Sequence, residues 1–366
     1  MLSGLKLTQF AMTKIKIITI IGARPQFIKA AALSREICKF KDINEVIIHT
    51  GQHYDNNMSD IFFQEMSIPK PKYNLGIGGT THGKMTGRQL EKIEEILITE
   101  KPNFVLVYGD TNSTLAGALA AAKLHIPVAH IESGLRSFNK KMPEEINRIL
   151  TDHISDILFV PTKDAISNLI NEGIDISKII NVGDVMYDAA LFYKDKAIKP
   201  IWFDKLNLHN FILCTIHRAE NTDSKFSLSR IFEGLCNSRK KILLPLHPRT
   251  LEKIKIFEIK ISDNIIIVPP TGYLEMVWLE MNCEMIVTDS GGVQKEAFFH
   301  NKFCVTLREE TEWNELVDSG WNELVGNNVE KLERIVTNFK IPNEKFDFYG
   351  NGDACHKILK YLNERK

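Results

Sequence analysis

Short runs of aliphatic and β-branched residues recur along this chain, each followed by a polar turn and then by residues at helical spacing. In the first half the runs are Ile15–Ile21, Glu45–His49, Phe104–Tyr108, Pro127–Ile131 and Ile157–Val160. In the second half they are Phe211–Ile216, Lys241–Leu246, Ile265–Val268, Met285–Thr288 and Phe303–Thr306. Helical patterns such as Gly87–Thr99, Thr114–Leu124, Pro143–Ile154 and Gly292–Phe299 lie between them. Strand–helix alternation predicts parallel sheets covered on both faces, an α/β fold. A break after Asp188 predicts two Rossmann-like, doubly wound domains over 13–188 and 206–350, joined through Phe192–Lys205. Residues 351–366 are expected to form a C-terminal helix packing back on the first domain.

Composition narrows the class. The chain has 366 residues, 44% of them hydrophobic and 25% charged, enough for one or two domains with a proper core. Net charge is zero, so no polyanion such as nucleic acid is implied as a partner. Apolar runs are interrupted within about ten residues, short of the roughly twenty that span a bilayer, so no membrane partner is expected. The stretch from Met1 to Ala23 has a lysine and an apolar run, as a signal peptide has, but it passes straight into a turn and helix that read as fold. Met12-Thr13-Lys14 resembles a second start, which makes residues 1–11 an extension. The six cysteines (Cys38, Cys214, Cys236, Cys283, Cys304, Cys355) are scattered without Cys-x-x-Cys and read as reduced thiols of a cytoplasmic protein. His49, His53, Asp55, and His130 near Glu132, show no metal-ligand spacing, so no metal is expected.

In doubly wound folds ligands bind beyond the carboxyl ends of the strands, so the residues just after each run carry the information. Gly22-Ala23-Arg24-Pro25-Gln26-Phe27-Ile28-Lys29 is a strand–turn–helix unit. Its turn amides and helix N-terminus form a natural anion site, with Arg24 and Lys29 beside it. Gly-x-Gly-x-x-Gly is absent, as are a Walker-type Gly-Lys-Ser/Thr and Gly-x-Ser-x-Gly. Asp289-Ser290-Gly291-Gly292 also follows a strand and opens a helix, where Ser290 and the two glycines admit a phosphate close to the backbone. Glu296, two turns on, offers two acceptor oxygens to the hydroxyls of a ribose. Asp110, Glu132 and Glu144 make a carboxylate group, although Glu144 after Pro143 is also a plain helix-capping choice. Clustered carboxylates are expected to raise one another's pKa and supply a general acid and base near neutral pH. His217-Arg218 brings an imidazole and a guanidinium to a strand end, suited to a leaving phosphate.

Taken together these motifs resemble the UDP-N-acetylglucosamine 2-epimerase family. The matching segments also include Thr50-Gly51-Gln52-His53, His130-Ile131-Glu132-Ser133-Gly134-Leu135-Arg136, Pro143-Glu144-Glu145-x-Asn147-Arg148 and His217-Arg218-x-Glu220-Asn221, in family order. The resemblance implies a glycosyltransferase-B-like architecture with the active site between the domains, a UDP-sugar substrate, a homodimer and no cofactor. It implies interconversion of UDP-GlcNAc and UDP-ManNAc by expulsion of UDP to a 2-acetamidoglucal and re-addition. By the same resemblance Asp110, Glu132, Glu144 and His217 are the expected catalytic residues. Arg24, Lys29, Arg136, Arg218, His247, Ser290, Gly291, Gly292, Glu296 and Arg308 are the expected binding residues. Hydrolysing relatives usually read Gly-x-Arg-Ala where this chain has Pro25, which favours the non-hydrolysing branch.

Departures from the family pattern bear on the sugar and on regulation. Ala219 stands where a second arginine is common, and Gln52-His53-Tyr54-Asp55 replaces Gln-His-Arg-(Glu/Gln), so activation by UDP-GlcNAc at a second site is not carried over. Thr311-Glu312-Trp313-Asn314 lacks the arginine of Thr-Glu-Arg-Pro, for which Arg308 is the expected substitute. These changes resemble a subgroup that includes 2-epimerases of other UDP-2-acetamido sugars, such as 2,3-diacetamido uronic acids. A hydrolysing 2-epimerase, a glycosyltransferase of the same architecture and a non-catalytic nucleotide-sugar binder are the remaining alternatives. Three carboxylates at strand and helix starts argue against the last two.

Overall fold

The structure is a computed structural model and describes residues 14–52, 66, 68–246, 248–344 and 346–365. The first sheet holds β1 (Ile15–Ile21), β2 (Ile43–His49), β3 (Tyr73–Asn74), β4 (Phe104–Tyr108), β5 (Val128–Ile131), β6 (Ile157–Val160) and β7 (Ile179–Asn181). Its helices are α1 (Arg24–Ile37), α2 (His82–Glu100), α3 (Asn112–Lys123), α4 (Pro143–Ile154), α5 (Lys163–Asn171) and α6 (Val185–Lys194). The second sheet holds β8 (Ile212–Thr215), β9 (Ile242–Pro245), β10 (Ile265–Val268), β11 (Met285–Thr288), β12 (Phe303–Thr306) and β13 (Asn322–Leu324). With it come α7 (Ala219–Thr222), α8 (Lys225–Asn237), α9 (Pro248–Ile256), α10 (Tyr273–Asn282), α11 (Gly291–Phe299), α12 (Asn314–Asp318) and α13 (Val329–Asn338). A last helix, α14 (Ala354–Glu364), follows.

Both sheets are parallel throughout, ordered β3-β2-β1-β4-β5-β6-β7 and β10-β9-β8-β11-β12-β13. Each therefore winds outward in both directions from a central pair, the doubly wound arrangement. The β1 sequence shows why. Ile17 and Ile21 enter one apolar layer with Phe27 and Leu33 of α1, while Ile18 and Ile20 enter the opposite layer with Ala116 and Ala120 of α3. Alternation of side chains along a strand sends an unbroken aliphatic run to both faces, and only helices on both sides can cover it. The α3 contact is close: a Cβ on Gly117 would stand 2.5 Å from Ile20 Cδ1. Among the described residues no helix is long and apolar enough to cross a membrane.

Three strands escape the hydrophobic pattern. β3, β7 and β13 are two or three residues long, lie at sheet edges and carry polar residues, as exposed edges do. α6 also departs from expectation, because it runs through the break placed after Asp188 and takes up the start of the stretch Phe192–Lys205. Its buried Val185, Met186, Ala189, Ala190 and Tyr193 recur at helical spacing, which outweighs the lysines beyond them. The chain returns from the second sheet to the first at Tyr349–Gly350, where Asp184 N donates to Tyr349 O at 3.0 Å. Gly183 sits at φ +86° there, and a Cβ on it would stand 2.6 Å from Tyr349 O, so the crossing has no space for a larger residue. Beyond it, Ile358, Leu359 and Leu362 of α14 enter the same apolar layer as Ile17, Phe27 and Leu33 of the first domain.

Candidate functional site

The two sheets reverse direction between β1 and β4 and between β8 and β11. A doubly wound sheet leaves a crevice at that point, beyond the carboxyl ends of its strands. The segments that follow these four strands are Gly22–Lys29, Gly109–Asp110, His217–Arg218 and Asp289–Gly292. Sequence motif and topology therefore select the same four loops.

The loop after β1 is not the open amide cradle its sequence suggests. Gln26 Oε1 accepts from Gly22 N at 2.8 Å and Ala23 N at 3.1 Å, while Gln26 Nε2 donates to Tyr108 O and Thr114 Oγ1, both at 3.0 Å. Those turn amides are spent inside the domain, so this wall offers side chains instead. Lys29, buried on α1, donates to Glu132 Oε2. Glu132 stands at φ +66° just after β5, a left-handed conformation that swings its carboxylate toward α1. Its other oxygen, Oε1, accepts from Lys295 Nζ of α11 at 2.7 Å. Burial alone pushes this carboxyl up, but the two ammonium groups outweigh it and hold the group well below the usual carboxylate range. The expectation that the carboxylates raise one another's pKa is corrected at Glu132, which faces cations.

A second charged cluster crosses between the domains. Arg148 of α4 donates to Asp110 Oδ2 from Nε at 3.0 Å and from Nη2 at 2.6 Å. Its Nη1 donates to Glu145 Oε2 at 2.7 Å, and its Nη2 reaches Glu312 Oε1 of the second domain at 3.1 Å. Burial opposes the charge on this guanidinium, but the three carboxylates override it and push its pKa up. Glu312 is buried too, yet Arg148 and Arg308 hold its carboxyl far below the usual range. Arg308 donates to both oxygens of Glu312 and leaves its own Nε buried without a hydrogen bond.

Between the two clusters lies the N-terminus of α11. Ser290 caps it, with Oγ accepting from Val293 N at 3.4 Å, and Gly291 and Gly292 are its first residues, where the helix itself supplies no acceptor for their amides. A Cβ on Gly291 would meet Glu312 Oε2 at 3.7 Å, Arg218 Nη2 at 3.8 Å and Trp313 Nε1 at 3.9 Å. This helix end therefore faces a space bordered by one arginine, one carboxylate and one indole. The Trp313 ring lies 4.0 Å from Lys295 Nζ and so links the two clusters. Asp289, fully buried, fastens the wall by accepting from the backbone amides of His217 and Arg218 and from Asn221 Nδ2.

The sequence model of the UDP-N-acetylglucosamine 2-epimerase family matches residues 35–363. The chain belongs to the UDP-N-acetylglucosamine 2-epimerase family. It is 55% identical to a UDP-N-acetylglucosamine 2-epimerase homolog of Methanococcus maripaludis, over 95% of this chain and 99% of that one. It is 54% identical to the UDP-2,3-diacetamido-2,3-dideoxy-D-glucuronate 2-epimerase of Pseudomonas aeruginosa, again over 95% and 99%. Among solved structures, that of Methanocaldococcus jannaschii UDP-GlcNAc 2-epimerase in complex with UDP-GlcNAc and UDP superposes with a TM-score of 0.88 at 46% identity, covering 96% of this chain and 100% of that one.

In this family member the expected site residues fall in different places. Lys29, Asp110, Glu132, Arg218, Ser290, Gly291, Gly292 and Arg308 meet through the contacts above. Arg24 opens α1, Glu144 is half-buried in the first turn of α4, and His217 keeps a half-exposed imidazole with Nε2 3.8 Å from Asp289 Oδ1, all at the borders of the crevice. Glu296 is buried deeper in α11, where Tyr273 Oη donates to it at 3.3 Å. Burial raises its carboxyl pKa, in spite of that hydrogen bond and of Lys295 nearby. His247 lies outside the described residues, as do His53, Tyr54 and Asp55. Arg136 is the clear correction. Its side chain is 1% exposed, and Nε, Nη1 and Nη2 are taken up by Glu172, Asp152 and Leu135 O. It ties α4 to α5 and is not placed to meet a ligand.

The site also contains charges the motifs did not single out. Arg148 lay in a quoted motif without a role, and Lys295 occupied the variable position just before Glu296. Asp184 follows β7, an edge strand the hydrophobic pattern did not show. Among the described residues no group of three or more His, Cys, Asp or Glu is placed to hold a metal ion, and His130 is buried between Asp152 Oδ1 and Gly109 O, both at 2.7 Å. The glycine at the α11 N-terminus gives a direct test. Gly291→Ala has room to fold, so its stability stays within about 0.5 kcal/mol of the parent protein. If this helix end holds a diphosphate, the added methyl group lies in its path, and UDP affinity measured calorimetrically falls about tenfold or more. Unchanged affinity would move the diphosphate away from this helix end.

Proposed function

We propose that the protein is a non-hydrolysing UDP-N-acetylglucosamine 2-epimerase that interconverts UDP-GlcNAc and UDP-ManNAc. One observation carries this reading: ionised Glu132 and the Asp110–Arg148 pair face the Ser290–Gly292 helix end across one crevice. The C2 hydrogen of the sugar is not next to a carbonyl, so direct deprotonation is out of reach. Epimerisation needs the C1–O bond to break, with its electron pair leaving on UDP, while a carboxylate takes the C2 proton and C1=C2 forms. UDP must then stay to re-add as the proton returns to the opposite face. The α11 N-terminus with Ser290 and Arg218 is suited to retain the diphosphate, because backbone amides and the helix dipole favour anions there. Asp110, Glu132 and Glu144 are the proton-carrying candidates, and His217, Arg24 and Lys29 border the diphosphate. The reading carries with it a homodimer working in the cytoplasm.

A second reading has one observation in its favour. Identity to the diacetamido-glucuronate 2-epimerase is 54%, against 46% to the M. jannaschii UDP-N-acetylglucosamine 2-epimerase, over the same 95% of this chain. The same elimination would then run on a UDP-2,3-diacetamido uronic acid. Incubation with each sugar nucleotide in D2O, followed by proton NMR, separates the two. UDP-ManNAc carrying deuterium at C2 is the expected product from UDP-GlcNAc. Turnover of the diacetamido sugar alone would replace the first reading by the second, and release of free ManNAc would mark hydrolysis.

A further inference from the structure

Lys295 is the residue of the Asp289–Glu296 motif that the reaction above leaves without a task. It is 1% exposed, and its ammonium donates to Glu132 Oε1 at 2.7 Å and to Asp184 Oδ2 at 2.5 Å. Both acceptors belong to the first domain, whereas Lys295 is carried on α11 of the second. Asp184 is well anchored: its Oδ1 caps α6 by accepting from Met186 N, and its own N–H holds Tyr349 O at the chain crossing. The lysine thus reaches from one domain to the chain crossing of the other and, from the same nitrogen, to one oxygen of Glu132. The second oxygen is held by Lys29 from within the first domain, whatever the second domain does. An ammonium buried at a domain border is a poor choice for stability, since burying two partners of an ion pair costs desolvation that apolar side chains avoid. Its position makes sense if the charge has work to do on the carboxylate it touches.

We propose that Lys295 is a positioning residue that orients the Glu132 carboxylate only when the two domains are together, with Asp184 as its anchor. Proton transfer by Glu132 is thereby coupled to closure of the crevice around the sugar nucleotide. This inference rests on the C2 epimerisation proposed above. Among the described residues, the charged groups facing Glu132 are Lys29 on α1 and Lys295 on α11; behind Lys295 stand Asp184, Glu296 and Glu315, which act on Glu132 through it. With Lys295 gone, Glu132 keeps one of its two cations, so its carboxyl titrates at higher pH and rotates more freely.

The test is Lys295→Met in the full chain, compared with the parent protein for deuterium incorporation at C2 of whichever UDP-2-acetamido sugar the parent turns over. The kcat for exchange is expected to fall by about ten- to a hundredfold, within the range by which misplacing a catalytic group slows a reaction. KM stays within about threefold, because the α11 N-terminus is untouched, and the acid limb of the kcat profile moves to higher pH. Lys295→Arg, which keeps the charge, recovers part of the rate. A kcat within twofold of the parent with an unmoved acid limb would overturn the proposal. So would a rise in KM alone, which would make Lys295 a ground-state binding group. Should Lys295→Met fail to fold, Asp184→Asn keeps the α6 cap and removes only the charge that anchors the lysine. It is expected to lower kcat with KM unchanged, and an unchanged kcat would again overturn the proposal. If the parent protein exchanges no C2 hydrogen on any such sugar, the reaction and this role for Lys295 fall together; if it does and both variants match it, only the role falls.

Discussion

Asp110→Asn is expected to abolish C2 hydrogen exchange, with a loss of about 10²- to 10⁴-fold, the range that a positioned general acid or base supplies. Asp110 follows β4 at the switch point of the first sheet, and Arg148 grips its Oδ2 with two nitrogens. That grip leaves Oδ1 for a substrate proton and fixes its direction. Asparagine matches the carboxylate in size and keeps an oxygen for Arg148, but it cannot accept a proton at neutral pH. The fold and the second domain's diphosphate elements remain, so KM for the sugar nucleotide is expected to stay within about threefold. The measurement is NMR in D2O on the variant under the conditions that give complete exchange in the parent protein. Retained exchange would remove Asp110 from the catalytic set and leave Glu132 and Glu144 as the proton carriers.

The second large effect concerns stability. Arg148 is the only cation Glu145 contacts among the described residues, and it also serves Asp110 and Glu312, two of the three carboxylates being buried. Arg148→Met keeps an unbranched apolar stem and removes the guanidinium with its charge. Breaking a buried pair on one side leaves uncompensated charge, which typically costs about 3–5 kcal/mol. Some relief comes from the remaining partners: Glu145 keeps the amides of Ser137 and Phe138, and Glu312 keeps Arg308. A loss near the lower end, about 3 kcal/mol by urea denaturation, is therefore expected, together with loss of exchange as Asp110 loses its orientation. A loss under about 1 kcal/mol would mean that water replaces the guanidinium and that the cluster is not dry.

The interior of the fold was legible because its signal is local. Runs such as Ile15–Ile21 and Phe104–Tyr108 are long, apolar and bounded by turns, and they are strands in the structure at the same residues. The edge strands Tyr73–Asn74 and Asn322–Leu324 were not, since an edge needs neither length nor an apolar pattern. The site shows the same division. Residues standing directly after strands, such as Asp110, Glu132 and Ser290, could be found by position. Their partners could not, because Lys295 meets Glu132 across 163 residues of sequence and Arg148 meets Glu312 across 164. No spacing rule encodes which charge faces which when the faces belong to two domains. Arg136 failed for the opposite reason: an arginine in a motif reads as a ligand group, whereas Asp152 and Glu172 consume it. Gln26 is a milder case, in which one carboxamide turned an open turn into a satisfied one.

The path of the last helix has a consequence for how the protein is made. α14 supplies Ile358, Leu359 and Leu362 to the apolar layer that β1 and α1 begin. As the chain leaves the ribosome, the first domain appears early, yet a strip of its core stays bare until residues 354–364 follow. Through the whole synthesis of the second domain that strip faces water or a chaperone. The domain that starts first is therefore completed last, and its final closure coincides with the joining of the two halves.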